Sequence, residues 1–337
     1  MKILIYSDVH WCEYSSIVRK RGEKYSQRLE NLIKSVNWAE NLAVEQSCQF
    51  IVCNGDFFDS SSLNHSEITA LNEIKWAPMD HYMIVGNHEM GTHDLSSSSA
   101  HLFAMNNELM VINKPTVLNA AQVEICLLPY ILESERKPSV ADYFEKTNKK
   151  RLLLMHNDIA GIQMGQFISK IGFSIDDIEA NCTLCINGHL HNGEKVSNKI
   201  INIGNLTGQN FSEDATKYDH CAFIVDTDTL RIEVYENPFA FNFYKVEWGD
   251  KCLNNLKDNA VVSIKADESQ VSAAKEFIKA YNKIVEGRVT LKITATTVNT
   301  EDVQESFSVD HLFEFKKYFL EKYGSSEVIL DELNRIC

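Results

Sequence analysis

"KILIYSDVHW", residues 2–11, is a strand-like run leading straight into an aspartate and a histidine one residue apart. Near-continuous apolarity of this kind suits a strand buried on both faces. The form recurs along the chain. "CQFIVCNGD" (48–56) ends in Gly55-Asp56, and "HYMIVGNHE" (81–89) ends in Asn87, His88 and Glu89. "RLLLMHND" (151–158) carries His156, and "CTLCINGHLH" (182–191) ends in His189 and His191. Between these runs, Leu29, Leu32, Ile33, Val36, Ala39, Leu42 and Ala43 follow helical spacing and predict a helix over 24–46. Further helices are expected over about 65–76 and near 137–148, with strands near 115–119, 122–128, 199–203, 221–227, 230–236 and 241–247. The pattern is α/β with a β-rich second half, which predicts two packed sheets flanked by helices.

Five strand ends thus carry metal-binding side chains: Asp8 and His10, Asp56, Asn87 and His88, His156, and His189 and His191. Sites in open α/β folds gather beyond the carboxyl ends of strands, so these five ends are expected to converge. Carboxylate, amide oxygen and imidazole together suit two divalent transition ions better than calcium. Asp56 is the natural bridge, because a carboxylate can share its charge between two cations. His65, His81, His93, His101, His220 and His311 lack this setting and read as ordinary core or surface histidines.

At 337 residues the chain can bury a large core, with one big domain plus a small one. No apolar run approaches the roughly 20 residues of a membrane span, and the N-terminal apolar stretch is too short for a signal peptide. The nine cysteines are scattered. Cys182 and Cys185 form a CxxC without a second pair, so buried reduced thiols in a cytoplasmic protein are expected. The net charge of −14 argues against general nucleic-acid affinity. A nucleic-acid ligand then requires a local basic patch or a partner that supplies one.

The texture changes near "WGDKCLNN" (248–255). The expected organisation is a first domain over 1–247, a small α/β unit over 248–300 and a helical segment over 301–337. The small unit has strands at 260–266 and 288–297 around a helix at about 269–284, with Asp267 or Ser269 as its cap.

The ordered set Asp8-Val9-His10, Gly55-Asp56-Phe57-Phe58-Asp59, Gly86-Asn87-His88-Glu89, His156 and Gly188-His189-Leu190-His191 resembles the calcineurin-like metallophosphoesterase superfamily. The resemblance spans residues 1 to about 240. It implies a two-sheet αββα sandwich with a dinuclear centre. One ion would be held by Asp8, His10 and His191 and the other by Asn87, His156 and His189, with Asp56 bridging. His88 would be a general acid or positive stabiliser rather than a ligand. The ions implied are most readily Mn²⁺, with Mg²⁺, Fe²⁺ or Zn²⁺ as alternatives.

Within the superfamily the sequence is most similar to the SbcD family of DNA repair and recombination nucleases, in its bacterial or phage form. "NGDFFD" ends as those forms do, and "NIGNLTGQNFSED" (202–214) is similar to their turn and later acidic residue. The unit at 260–297 matches the family's capping domain in position and size. Residues 60 and 61 are both serine, unlike the arginine and glycine that follow in Ser/Thr protein phosphatases. The family resemblance implies a homodimeric exonuclease and endonuclease, working with an SbcC-type coiled-coil ATPase and with no membrane association. Phe313, Phe315, Phe319 and Leu320, with Ile329 and Leu333, are the matching candidates to grip that ATPase.

For DNA itself, "RKRGEKYSQR" (19–28) supplies Arg19, Lys20, Arg21, Lys24 and Arg28 against one acidic residue. Trp11, Tyr14 and Tyr25 are interleaved and expected to stack on unpaired bases. "NKKR" (148–151) is a weaker patch, read as ordinary surface. Two other functions fit the same metal motifs: a stand-alone phosphomonoesterase or cyclic-nucleotide phosphodiesterase, and an inactive scaffold. The complete set of ligand positions disfavours the scaffold.

Overall fold

The computed structural model of the protein describes residues 1–292 apart from 92–93, 106–108 and 165–166. In chain order the first half contains β1 (Lys2–Tyr6), α1 (Gln27–Glu45), β2 (Phe50–Cys53), α2 (His65–Ala70), β3 (Asp80–Ile84) and β4 (Leu109–Ile112). Then come β5 (Thr116–Asn119), β6 (Val123–Leu128), β7 (Lys150–Met155), α3 (Ile175–Asn181), β8 (Leu184–Asn187), β9 (Glu194–Lys195) and β10 (Ile200–Asn202). The remainder is β11 (Cys221–Asp226), β12 (Arg231–Glu236), β13 (Asn242–Glu247), β14 (Ala260–Ala266), α4 (Val271–Ala280) and β15 (Ile284–Leu291).

Two six-stranded sheets form the body. Their orders are β12-β11-β1-β2-β3-β4 and β9-β10-β8-β7-β6-β5. The run β1-β2-β3-β4 is parallel, as is β10-β8-β7-β6. Strand alternation builds the layers. Ile3 and Ile5 of β1, Val52 of β2 and Ile84 of β3 pack against Ile125, Leu127, Leu152, Leu154 and Ile186 of the second sheet. The opposite faces, Leu4, Tyr6, Ile51 and Cys53, take Leu29, Leu32, Val36 and Ala39 of α1. Beyond the second sheet, Leu153, Met155 and Cys185 pack with Ile178 of α3. Each buried aliphatic side chain contributes roughly 1.5–3 kcal/mol. The result is the expected αββα sandwich.

The cysteines other than Cys337 are free thiols, and Cys182 and Cys185 sit buried beside α3 and in β8. No helix among the described residues is long and apolar enough to cross a membrane.

Three local expectations change. Residues 137–148 form no α-helix; Ser139 and Asp142 cap a single tight turn over Val140–Tyr143. Val140, Tyr143 and Phe144 supply one turn of helical spacing, but Pro138 blocks extension before it and residues 145–150 add no apolar side chain after it. The strand expected at 288–297 begins earlier, at Ile284, because it pairs in parallel with β14. Finally, β13 belongs to the small sheet β13-β14-β15, although the boundary at 247 assigns it to the first domain. Tyr244 and Val246 of β13 join Val262, Ile264 and Ala274 in one core, which explains the pairing.

The small sheet's other face, with Phe243 and Val261, packs on Val18, Ile17 and Phe211. The Arg288 guanidinium lies 4.6 Å from the Phe211 ring centre. Residues 301–337, including Phe313, Phe315, Phe319 and Leu320, lie outside the described residues.

One side chain joins the two sheets. Asn54, directly after β2, donates from Nδ2 to the carbonyls of Met155 (3.0 Å) and Ile186 (3.1 Å), at the ends of β7 and β8. Replacing it by alanine leaves buried acceptors short of a donor, which costs about 1–3 kcal/mol. Urea unfolding of N54A is expected to show that loss. An unchanged midpoint would remove this tie from the account of the fold.

Candidate metal centre

All the motif residues leave parallel strands at their carboxyl ends, and the structure brings them together. The backbone of the first ligand loop is laddered to the second: Asp8 N donates to Gly55 O and His10 N to Asp56 O, both at 3.0 Å. Among the described residues, seven non-glycine residues have positive φ, and four of them are Asp8, His10, Asp56 and His189. This left-handed conformation costs of order 1–2 kcal/mol for a residue bearing a Cβ, and such strain collects at functional sites. Gly86 is needed for close approach, since a Cβ there would collide with the Asp56 carboxylate.

Three overlapping groups have ligand atoms within 4.8 Å of one another: Asp8, His10 and His191; His10, Asp56 and His88; Asp56, His156 and His189. His189 Nδ1 lies 2.9 Å from Asn87 Oδ1, which adds the amide to the third group. Asp56 is shared between groups, as a bridging ligand must be. His10 Nε2 lies 3.8 Å from Asp8 and 3.9 Å from Asp56, and His156 Nε2 lies 3.0 Å from Asp56. Yet Asp8 Oδ1, His10 Nε2 and His156 Nε2 are buried without a hydrogen-bond partner. Buried polar atoms are normally paired. Ligand atoms that crowd one another with no hydrogen-bond partner are the arrangement that cations complete, so this set fits two divalent ions.

The other ring nitrogens are anchored. His10 Nδ1 meets Asp59 Oδ1 at 3.0 Å, His156 Nδ1 donates to Asn54 O at 2.8 Å, and His191 Nδ1 meets Glu213 Oε1 at 3.3 Å. His189 Nε2 meets Asp158 Oδ1 at 3.0 Å. Such partners fix the tautomer and aim the free nitrogen. Glu89 faces away from this set: its carboxylate accepts from Phe58 N (3.1 Å) and Gly86 N (2.8 Å), clamping two ligand loops. Burial and the nearby Asp56 push the Glu89 carboxyl up to about 7.

The field in the pocket is strongly negative. Burial disfavours a charged His10, but Asp59, Asp8 and Asp56 push it up to about 10. His156, equally buried, is pushed up to about 9 by Asp56 and Asp8. Against its own burial, Asp56 is held well below the usual carboxylate range by His156 and His10.

His88 sits at the rim, its side chain 42% exposed and its ring 4.6 Å from that of His10. Its backbone N donates to Asp56 Oδ1 at 3.0 Å, and its Nδ1 lies 3.2 Å from Asp59 O. Donation from Nδ1 to that carbonyl leaves Nε2 as the nitrogen available to a substrate.

The basic stretch divides. Arg19, Lys20, Arg21 and Lys24 are exposed, although Lys24 is paired with Glu73. Arg28 is buried at 4% exposure, and its guanidinium donates to His10 O (3.3 Å) and Gly208 O (3.5 Å). It braces the site from behind and presents nothing to DNA. Trp11 and Tyr25 are also core residues, and Tyr14, 77% exposed, remains the one aromatic of that set open to solvent. Arg151 of the second patch is buried too. Sequence motifs give no role to Asp158 or Asn54, and only the later acidic residue of 202–214 points toward Glu213.

Several known proteins resemble this chain. The profile of the calcineurin-like phosphoesterase family matches residues 1–193. A curated relative from Escherichia phage T5, named "Probable exonuclease subunit 1", is 24% identical over 348 residues, covering 99% of this chain and 96% of its own length. Among solved structures, a dimetal phosphatase from Danio rerio aligns with 70% of this chain and 96% of its own, at 10% identity and a TM-score of 0.41. The calcineurin-like phosphoesterase YfkN from Bacillus subtilis aligns with 70% of this chain and 88% of its own, at 11% identity and a TM-score of 0.37.

With His10 and His156 protonated at neutral pH, a bound cation has to expel protons. Metal affinity is therefore expected to rise with pH, by up to roughly tenfold per unit for each proton released. Titration calorimetry with Mn²⁺ in two buffers of different ionisation heat counts those protons. A count of zero at pH 7 would contradict a protonated His10 and His156 in the metal-free protein.

Proposed function

The chain belongs to the calcineurin-like phosphoesterase family, and from that premise we propose that it is the nuclease subunit of an SbcCD-type complex, cleaving DNA phosphodiester bonds with two divalent metal ions. The observation that carries the DNA assignment is the near end-to-end match to the phage T5 "Probable exonuclease subunit 1". That match extends past residue 193, where the family profile stops, through the small sheet and the C-terminal segment. A relative called a subunit also supports a working partner, here a coiled-coil ATPase, and a chain of net charge −14 gains basic surface from such a partner.

Asp8, His10 and His191 would hold one ion, and Asn87, His156 and His189 the other, with Asp56 shared. Bound divalent ions, most readily Mn²⁺, supply Lewis acidity that activates water and neutralises charge on the phosphate. The protein's part is positional. Asp59, Asn54 and Glu213 hold His10, His156 and His191 so that their free nitrogens face inward. As an imidazolium, His88 would keep Nδ1–H on Asp59 O and present Nε2–H to the leaving oxygen, giving up that proton as the bond breaks. Arg19, Lys20 and Arg21, exposed and following the first ligand loop in sequence, are the candidate track for the DNA backbone. The segment over 301–337, with Phe313, Phe315, Phe319 and Leu320, is the candidate ATPase grip. The protein is proposed to act as a homodimer in the host cytoplasm.

The deciding assay offers double- and single-stranded linear DNA with Mn²⁺, and small phosphoesters in parallel, with Asp8→Ala as control. DNA degradation that D8A abolishes is expected. Turnover of small phosphoesters with intact DNA would instead make this a stand-alone phosphomonoesterase or cyclic-nucleotide phosphodiesterase. His88→Ala is expected to keep both ions and lose about 10²–10⁴-fold in rate; near-normal turnover would remove His88 from the mechanism. Charge reversal at Arg19, Lys20 and Arg21 is expected to weaken DNA cleavage while sparing a small chromogenic diester. Equal loss on both substrates would refute the DNA track.

A further inference from the structure

One carboxylate at the centre belongs to none of the motifs. Asp158 follows His156 by two residues, beyond the end of β7, and its two oxygens are divided between partners. Oδ1 meets His189 Nε2 at 3.0 Å, and Oδ2 accepts from the Tyr130 hydroxyl at 3.4 Å. Arg136, its side chain 7% exposed, places Nη2 3.9 Å from the same Oδ2. That arginine is held by Glu133 and by the Phe173 ring, 5.3 Å from its guanidinium carbon. The backbone is pinned too, with Phe173 N donating to Asp158 O at 3.1 Å. Asp158 is thus fixed from several sides with one oxygen committed to His189.

The two halves of the centre are unequal in charge. The set Asp8, His10 and His191 has its own carboxylate besides the shared Asp56. The set Asn87, His156 and His189 offers an amide and two imidazoles besides Asp56, and His156 is backed by the neutral carbonyl of Asn54. Asp158 is the carboxylate that stands behind this second half. With Nε2 turned to Asp158, Nδ1 is the His189 ring nitrogen left to face an ion, 2.9 Å from Asn87 Oδ1.

We propose that Asp158, steadied by Tyr130 and Arg136, is a positioning residue that gives the second half of the centre its affinity for a divalent ion. The proposal rests on the two-ion reading above, and the test separates the two. Mn²⁺ is titrated into the full chain and followed by the electron paramagnetic resonance of free and bound manganese, with circular dichroism confirming the fold. The wild type is expected to take up two ions and show the signal of a coupled pair. D158N is expected to keep one ion at wild-type affinity, weaken the other by about 10–100-fold and lose the coupled signal at limiting metal. On an N87A background, which already impairs that half, D158N is expected to add less than about threefold.

Two ions bound as tightly by D158N as by the wild type would overturn the proposal. So would a full additional loss on the N87A background. A wild type that binds fewer than two ions would sink the two-ion reading and the proposal with it. Should D158N fail to fold, Y130F carries the test: weakening of one ion by about 3–10-fold supports the proposal, and wild-type affinities overturn it.

Discussion

The Asn54 amide spans two sheets, donating to β7 and β8 from the end of β2. The main-chain carbonyl of the same residue serves that junction too, accepting from Ser7 Oγ at 2.9 Å and from His156 Nδ1 at 2.8 Å. One residue therefore sets how far apart the strand ends stand. Sheets packed face to face can slide, because burial is non-directional. Directional bonds at the carboxyl ends stop that sliding where ligands from both sheets must meet within a few ångströms. The hydrophobic layers give the sandwich its stability, and this junction gives it register.

The second constraint is electrostatic. Asp8 and Asp56 are buried together with His10 and His156, all within 1% of full burial. Isolated charges there would be expelled by desolvation. Here carboxylate and imidazolium compensate each other, and bound cations would take over the part those protons play. The outer ring of Asp59, Glu213 and Asp158 extends this logic one layer out. It holds each ring by its far nitrogen, and so orientation and charge come from the same contacts.

Much of this is legible in the sequence because strands buried on both faces leave an unbroken apolar signature, and the ligands sit at their ends. Asp8, His10, Asp56, Asn87, His156, His189 and His191 converge as their positions predict. What escapes depends on side-chain direction. Arg28 and Trp11 look like surface groups in a basic, aromatic stretch, but the fold turns them inward onto His10 O and the α2 carbonyl of Glu67. Asp158 and Glu213 escape because a single acidic residue in a loop carries no periodicity. The 137–148 helix fails because its apolar spacing spans one turn and ends at Phe144. The strand β13 falls on the wrong side of the expected boundary because its pairing with β14, across residues 248–259, leaves no local mark.

The left-handed backbone at Asp8, His10, Asp56 and His189 makes the centre depend on distant strand pairing. Such torsions are unfavourable for a residue bearing a Cβ and persist only where the surrounding fold enforces them. The aim of the donors is therefore tied to the strand pairing that carries their loops, and a change that loosens the β1–β2 ladder would let these residues relax and turn their donors away from one another.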